Sequence, residues 1–167
     1  MLSGCYDDST INQPQILGEA PVLISVCSMN KKEMNSLVIV SEVYEGVTPT
    51  PHFPTTIDYE GCHVEFDDIY YDQLETIPDQ LRKLEKSRKG IVIIDGGQRF
   101  GITVKTDLHG GVVISFRACP TSFPGKLVLE GSFQFDGEHT AQTIENMVSL
   151  LIAGQTLRIE QRRVRNS

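Results

Sequence analysis

The alternation of apolar and polar side chains along residues 91–135 constrains the fold more than any other feature of the sequence. Its clearest stretch, 127–135, places leucines, glycine and phenylalanines at odd positions and mostly polar residues at even positions. A period of two is typical of a strand with one buried face. Similar alternation at 100–105 and 112–118, together with the apolar run 91–94, indicates three more strands. The sequence therefore predicts a four-stranded antiparallel meander.

Turn residues separate these predicted strands. Asp95-Gly96 is a dipeptide that favours a type I′ hairpin, and His109-Gly110-Gly111 predicts a second reversal of the chain. A longer loop is expected at 120–125. The glycine-rich stretch 96–101 lies between two strands, whereas a phosphate-binding loop leads from a strand into a helix. We therefore expect a hairpin there and no nucleotide site.

Three further strands are predicted upstream of the meander. Residues 20–27, 37–44 and 62–66 are rich in β-branched and aromatic side chains, which favour strands. Pro49, Pro51 and Pro54 fall between the second and the third of these strands. Because proline cannot donate a hydrogen bond to a strand ladder, they predict a loop.

Two helices are predicted, one before and one after the meander in the sequence. Apolar residues in 68–88 recur at steps of three and four, with a break near Thr76, which resembles a capping box with Asp79. Asp136 is suited to cap a final helix, and Gly154 to end it. The sequence thus predicts an α+β fold, a predominantly antiparallel sheet with two helices packed on one face.

The predicted domain organisation is simple, because 167 residues suit one domain with one core. We expect a flexible N-terminal arm at 1–19, a single α+β domain at 20–157 and a basic C-terminal tail at 158–167. No apolar run approaches the roughly 20 residues that span a bilayer, so no membrane partner is expected.

Charge is divided unevenly along the chain. Residues 1–80 contain 14 acidic and 2 basic side chains, whereas residues 81–167 contain 8 acidic and 13 basic ones. An acidic protein repels nucleic acid, so a nucleic-acid role would depend on the tail alone, and none is predicted. The acidic excess is explained either by solvated faces or by a patch that attracts a basic partner.

No residue pattern predicts catalysis, a cofactor or a metal. The four cysteines and four histidines lack the short spacings of metal sites, which predicts reduced thiols in a cytoplasmic protein. Residues 2–5 match a lipoprotein cleavage box, but only Met1 precedes them, so we expect a chance match. The sequence predicts a protein that is not an enzyme. The alternative is an unrecognised small-ligand or hydrolytic site that converges on His63 or His109.

Several segments of residues 66–152 resemble the WapI-type bacterial immunity proteins. They are the helical segment 69–74 with Leu81, Leu84 and Gly90, the strands 100–104 and 112–114, and 127–136 with the helix that follows. The most specific features are the glycine-rich turn before Val112 and the Phe-x-Phe-Asp join to the final helix. This chain departs from the pattern at 137–140. The resemblance implies a small cytoplasmic protein that binds and neutralises a cognate toxin without catalysis.

A partner surface is predicted in the acidic stretch of the first half. Toxins that degrade nucleic acid need cationic surfaces, which carboxylates can oppose. We expect Tyr71 to be more available than Tyr70, because Tyr70 falls on the apolar stripe of the predicted helix. The predicted partner-binding residues are Asp58, Glu60, Glu65, Asp67, Asp68, Tyr71, Asp72 and Glu75.

Overall fold

A computed structural model describes residues 34–120 and 127–163 of the chain. Within them it contains β1 (Met34–Ile39), β2 (Glu42–Tyr44), β3 (Thr50–His52), β4 (Thr55–Tyr59), β5 (Cys62–Phe66), α1 (Ile77–Ser87), β6 (Ile91–Gly96), β7 (Phe100–Thr106), β8 (Val112–Ala118), β9 (Leu129–Phe135), α2 (Gly137–Ala153) and β10 (Leu157–Arg162). The strand pairs are antiparallel, and the fold is α+β, as predicted. The predicted arm at 1–19 and the predicted strand at 20–27 lie outside the described residues.

The predicted meander forms a four-stranded sheet, here called sheet 2, with the order β6-β7-β8-β9. One face is buried along all four strands, and its members include Val92, Ile102, Ile114 and Phe133. The opposite face is mostly polar and exposed. The period of two in the sequence therefore identifies both the strands and the buried face.

The turn between β6 and β7 differs from the predicted type I′ turn at Asp95-Gly96. Gly96 pairs with Phe100, so the turn contains three residues, 97–99, and begins at Gly97 with a φ of 75°. A two-residue turn would place Ile94 and Ile102 on opposite faces of the sheet. The three-residue turn places both side chains on the buried face, which explains why burial overrides the dipeptide preference.

A second four-stranded sheet, here called sheet 1, has the order β10-β1-β4-β5. The predicted strand at 62–66 is confirmed, but the one at 37–44 is interrupted after Ile39. The strand β4 was not predicted. The first part of the predicted tail at 158–167 belongs to the strand β10, in which the buried residues Leu157 and Ile159 alternate with the exposed residues Arg158 and Glu160.

A small hairpin of β2 and β3 occupies much of the region predicted to be a proline loop. Val43 pairs with Pro51 across it. A two-stranded ribbon has two open edges, so a proline without an N–H is tolerated there.

The first helix is shorter than predicted. It begins at Ile77, and Pro78 lies in its first turn, where the missing N–H costs nothing. The predicted capping box is wrong, because the Thr76 hydroxyl donates to the Gln73 carbonyl, 3.2 Å away, and makes no capping bond. Residues 68–76 are therefore not helical.

The second helix agrees with the sequence. The Asp136 carboxylate accepts a hydrogen bond from the His139 backbone N–H at 3.1 Å, and the left-handed Gly154 ends the helix. The two helices contact each other, α1 contacts β6 and α2 contacts β9, so the pair covers the buried face of sheet 2.

The two sheets and the helices share one hydrophobic core. Both helices approach the β7–β8 turn. Arg88 at the end of α1 and Thr140 in the first turn of α2 both donate a hydrogen bond to the Gly110 carbonyl. Sheet 1 contacts the other end of sheet 2, where the Tyr59 ring packs edge-on against Phe116 with centroids 5.2 Å apart. A Cβ at Gly131 would lie 2.6 Å from the Tyr59 ring, so this close approach requires glycine.

Candidate functional site

Three of the charged side chains between 58 and 65 form a cluster on the outer face of sheet 1. The His63 Nδ1 atom lies 2.7 Å from Asp58 Oδ1, and its Nε2 atom lies 3.0 Å from Glu65 Oε1. Ser36 donates a long hydrogen bond, 3.5 Å, to the other oxygen of Asp58. The cluster therefore brings together two predicted partner-binding residues, Asp58 and Glu65, through a histidine that the prediction did not include.

The two carboxylates determine the charge of His63. Burial disfavours the imidazolium, but the hydrogen bonds and charges of Asp58 and Glu65 outweigh this effect and raise the pKa of His63 above 6.5. Both ring nitrogens are occupied, so the ring has no free lone pair to accept a proton from a substrate. The contact between His63 and Asp58 links β5 to β4, and the histidine compensates part of the negative charge of Asp58 and Glu65.

Glu60 is also engaged within the protein. It occupies the β4–β5 turn with a φ of 48°, its backbone N–H donates to Asn35 Oδ1, and its carboxylate accepts from Asn35 Nδ2 at 2.8 Å. Arg163 donates to the same Asn35 oxygen. Glu60 therefore holds the turn against β1 and the end of β10.

The remaining acidic residues of the prediction lie in the segment between β5 and α1. Asp68 forms an ion pair of 3.1 Å with Arg99, whose guanidinium lies 5.4 Å from the centre of the Phe66 ring. Asp67, Asp72 and Glu75 are exposed and form no ion pair with any described residue. Within the described part of the chain these three carboxylates have no cationic partner, and they are accessible to solvent and to a binding protein.

The expectation for the two adjacent tyrosines is wrong. Tyr71 is only 6% exposed and packs 4.6 Å from the Phe53 ring, whereas Tyr70 is 48% exposed. Burial raises the pKa of Tyr71, against a weaker opposing effect of the Thr55 hydroxyl. Because this segment is not helical, Ile69 and Tyr71 both point inward and Tyr70 points outward. The period of two across these residues was the signal in the sequence.

Tyr70 belongs to an exposed aromatic group that sequence reasoning missed. The His52 ring lies between Tyr44 and Tyr70, with ring centroids 6.4 and 6.2 Å away. We call these three residues the tyrosine patch. Tyr44 is 65% exposed, and Val43 and Val47 of the same hairpin are exposed as well. Tyr44 and Tyr70 are 26 positions apart in the chain, so no local sequence pattern could predict that they lie near the same histidine.

The histidine at the centre of the tyrosine patch is held from one side. Its Nε2 atom lies 3.3 Å from Glu42 Oε2, while its Nδ1 atom is buried without a hydrogen-bond partner among the described residues. Glu45 lies in the same hairpin, exposed and without an ion pair to a described residue. The patch thus combines aromatic surface with nearby acidic side chains.

Other kinds of site have less support in the described parts of the chain. An open groove of about 520 Å³ is lined by Ser36, Thr56, Asp58, His63, Arg158 and Glu160. In residues 34–120 and 127–163, no three His, Cys, Asp or Glu side chains are arranged to hold a metal ion. Neither described helix is long and apolar enough to cross a bilayer. No family model matches the chain, and no curated protein or solved structure is significantly similar to it.

Proposed function

We propose that this protein is a non-enzymatic immunity-type protein of the cytoplasm, which binds a cognate bacterial toxin domain and neutralises it by covering its surface. The toxin surface is basic, as a nuclease surface must be to hold phosphates. The observation that carries the proposal is the tyrosine patch, together with exposed carboxylates in the adjoining segments that pair with no described cation.

Exposed aromatic surface supports a protein partner over a small ligand. Tyrosine is enriched at the energetic centres of protein interfaces, because its ring buries a large area and its hydroxyl keeps a hydrogen bond. Tyr44 and Tyr70 are both exposed, and the ring of each lies close to the His52 ring.

Exposed carboxylates in the same hairpin as Tyr44 and in the segment that contains Tyr70 support a basic partner. Glu45, Asp67, Asp72 and Glu75 are exposed and form no ion pair with a described residue, and we call these four residues the acidic rim. Rim charges of this kind attract an oppositely charged partner and speed its association, with an effect that falls as salt rises. Asp68 does not belong to the acidic rim, since Arg99 already compensates it.

The proposal is tested with the toxin domain encoded beside this gene, in binding measurements and in growth of a host that expresses it. Tyr70→Ala should raise the dissociation constant at least about tenfold, because a central aromatic contact contributes about 1.4 kcal/mol or more to the binding free energy. Asp72→Lys should slow association at low salt. The matched control is Glu145→Lys on the exposed face of α2, which changes the net charge equally.

Two outcomes would count against the proposal. If Asp72→Lys and Glu145→Lys slowed association to the same extent, the effect would come from net charge alone and not from the acidic rim. If the adjacent gene product were no toxin, or if the wild-type protein failed to protect the host, the immunity role itself would fail.

A further inference from the structure

The hairpin of β2 and β3 belongs to neither of the four-stranded sheets. Among the described residues its two strands pair only with each other, and every residue from Glu42 to Thr50 is exposed. Val43 is 57% exposed, and Tyr44 is more exposed still. Neighbouring residues of a strand point to opposite faces, so the hairpin exposes an apolar side chain on one face and an aromatic one on the other.

The base of the hairpin is fixed to the rest of the protein. The Val40 N–H donates a hydrogen bond to the Pro54 carbonyl at 2.9 Å, and the Phe53 N–H donates one to the Ile69 carbonyl at 2.8 Å. The Phe53 side chain is buried in the core. The hairpin is therefore held in position before a partner binds, which lowers the entropic cost of binding through it.

The acidic residues of the hairpin have no lysine or arginine near them in the sequence. Glu42 and Glu45 are these residues, and the whole range from Met34 to Leu81 contains neither basic residue. Val47, two positions after Glu45, is fully exposed at the tip of the hairpin. Negative charge beside exposed apolar side chains is complementary to a recess with basic walls.

We propose that the β2–β3 hairpin enters the cleft in which the toxin holds the phosphates of its nucleic-acid substrate, and that it thereby excludes the substrate. This inference rests on the proposed function and names the part of the toxin that is covered. A flat surface buries one face of a hairpin, whereas a cleft buries Val43 and Tyr44 together.

The dimensions and charges of the hairpin define the cleft. Strands of three residues need a cleft about 10 Å deep, since a strand rises by about 3.3 Å per residue. In a phosphate-binding cleft, the carboxylates of Glu42 and Glu45 take the place of substrate phosphates as partners of lysine and arginine.

Pairing through a backbone edge is the other way in which a hairpin can bind a protein. The strand β3 has Pro51 at its centre and Pro49 directly before it, so two N–H groups are missing along that edge. The strand β2 contains only three residues and offers few backbone groups to an added strand. The side chains of the two faces therefore carry the contact.

Substitutions on the two faces and at the tip test the cleft, with the toxin domain encoded beside this gene as the partner. Val43→Ala and Tyr44→Ala should each raise the dissociation constant at least about fivefold, because a cleft removes both side chains from water. Val47→Ser should raise it about tenfold. Leu108→Ser is the matched control, since Leu108 is fully exposed in the β7–β8 turn and should leave binding unchanged. Urea unfolding shows that each variant remains folded.

Competition with a substrate mimic tests the exclusion. The probe is a nuclease-resistant phosphorothioate oligonucleotide, mixed with the toxin domain and the full-length wild-type protein. At about ten times its own dissociation constant for the toxin, the oligonucleotide should raise the apparent dissociation constant of this protein about elevenfold, because the two exclude each other.

Four outcomes would overturn this inference and leave the immunity role standing. They are a loss of affinity for only one of Val43→Ala and Tyr44→Ala, equal effects of Val47→Ser and Leu108→Ser, a toxin that does not bind the oligonucleotide, and a toxin that binds the oligonucleotide and this protein at the same time. A wild-type protein that does not bind the toxin would refute the proposed function and this inference with it.

Discussion

Replacement of Gly131 by alanine tests how the two sheets meet. A Cβ at this position would lie 2.6 Å from Tyr59 Cζ and 2.7 Å from two Phe116 carbons. Since ordinary carbon contacts are about 3.5 Å or longer, the Tyr59 ring would have to move by about 0.9 Å. The ring cannot move freely, because its hydroxyl accepts a hydrogen bond from the Ser132 N–H at 3.3 Å and lies 3.4 Å from the Ser132 carbonyl.

The magnitude of this effect follows from two opposing contributions. Overpacking costs about 1–3 kcal/mol, and the loss of glycine freedom in the unfolded chain returns about 0.4–1 kcal/mol. Gly131→Ala should therefore lower the free energy of unfolding by about 1–2 kcal/mol, which urea unfolding at neutral pH measures.

A matched control in the same sheet makes the prediction sharp. Gly101 in β7 has a negative φ, and a Cβ there would meet nothing closer than the Ile94 carbonyl at 3.8 Å. Gly101→Ala should therefore be neutral or slightly stabilising. Tyr59→Leu combined with Gly131→Ala should cost less than the sum of the two single changes. Equal losses for Gly101→Ala and Gly131→Ala would refute the argument, since strand glycines would then be costly to replace for a reason other than Tyr59.

Two further predictions concern a helix end and a histidine. Asp136→Ala should destabilise the protein by about 1 kcal/mol through loss of the α2 cap. Thr76→Ala, at the uncapped start of α1, should change stability by less than about 0.5 kcal/mol. Equal effects of the two changes in urea unfolding would contradict the cap assignment. His63→Gln should cost more stability at acidic than at basic pH. The raised pKa of His63 means that its contribution is complete below 6.5 and is lost as pH rises through the higher folded-state value. Because His63 is partly exposed, the difference should be at most about 1 kcal/mol, and a loss that does not depend on pH would show that His63 acts through packing alone.

The sequence predicts those parts of the fold whose signal is local. The meander and the capped helix α2 are of this kind, since each strand alternates in apolar character and Asp136 lies beside the helix that it caps. The strand β10 was missed because its neighbour β1 lies more than one hundred residues earlier. Its two buried residues alternate with charged ones, but the arginines alone suggested a tail.

The candidate site is harder to predict because its contacts join distant segments. The sequence places Asp58, Glu65 and Asp68 in one acidic stretch, but their partners His63 and Arg99 become evident only from the strand pairing and the β6–β7 turn. The wrong expectation for Tyr70 and Tyr71 has a different, local origin. A helical period assigned to residues 68–76 reverses which of Tyr70 and Tyr71 faces the solvent.

If the proposed basic partner binds, its long-range attraction and its recognition at close range depend on different residues. His63 and Arg99 pair with three of the predicted carboxylates, and the whole chain has a formal net charge of −7 when its histidines are counted as neutral. Long-range attraction depends on that net charge and is screened by salt, whereas a desolvated aromatic contact is not. Variants of the acidic rim should therefore act on the association rate, and Tyr70→Ala should act on the dissociation rate. This division follows from the exposed rings of the tyrosine patch, and a purely electrostatic surface would not produce it.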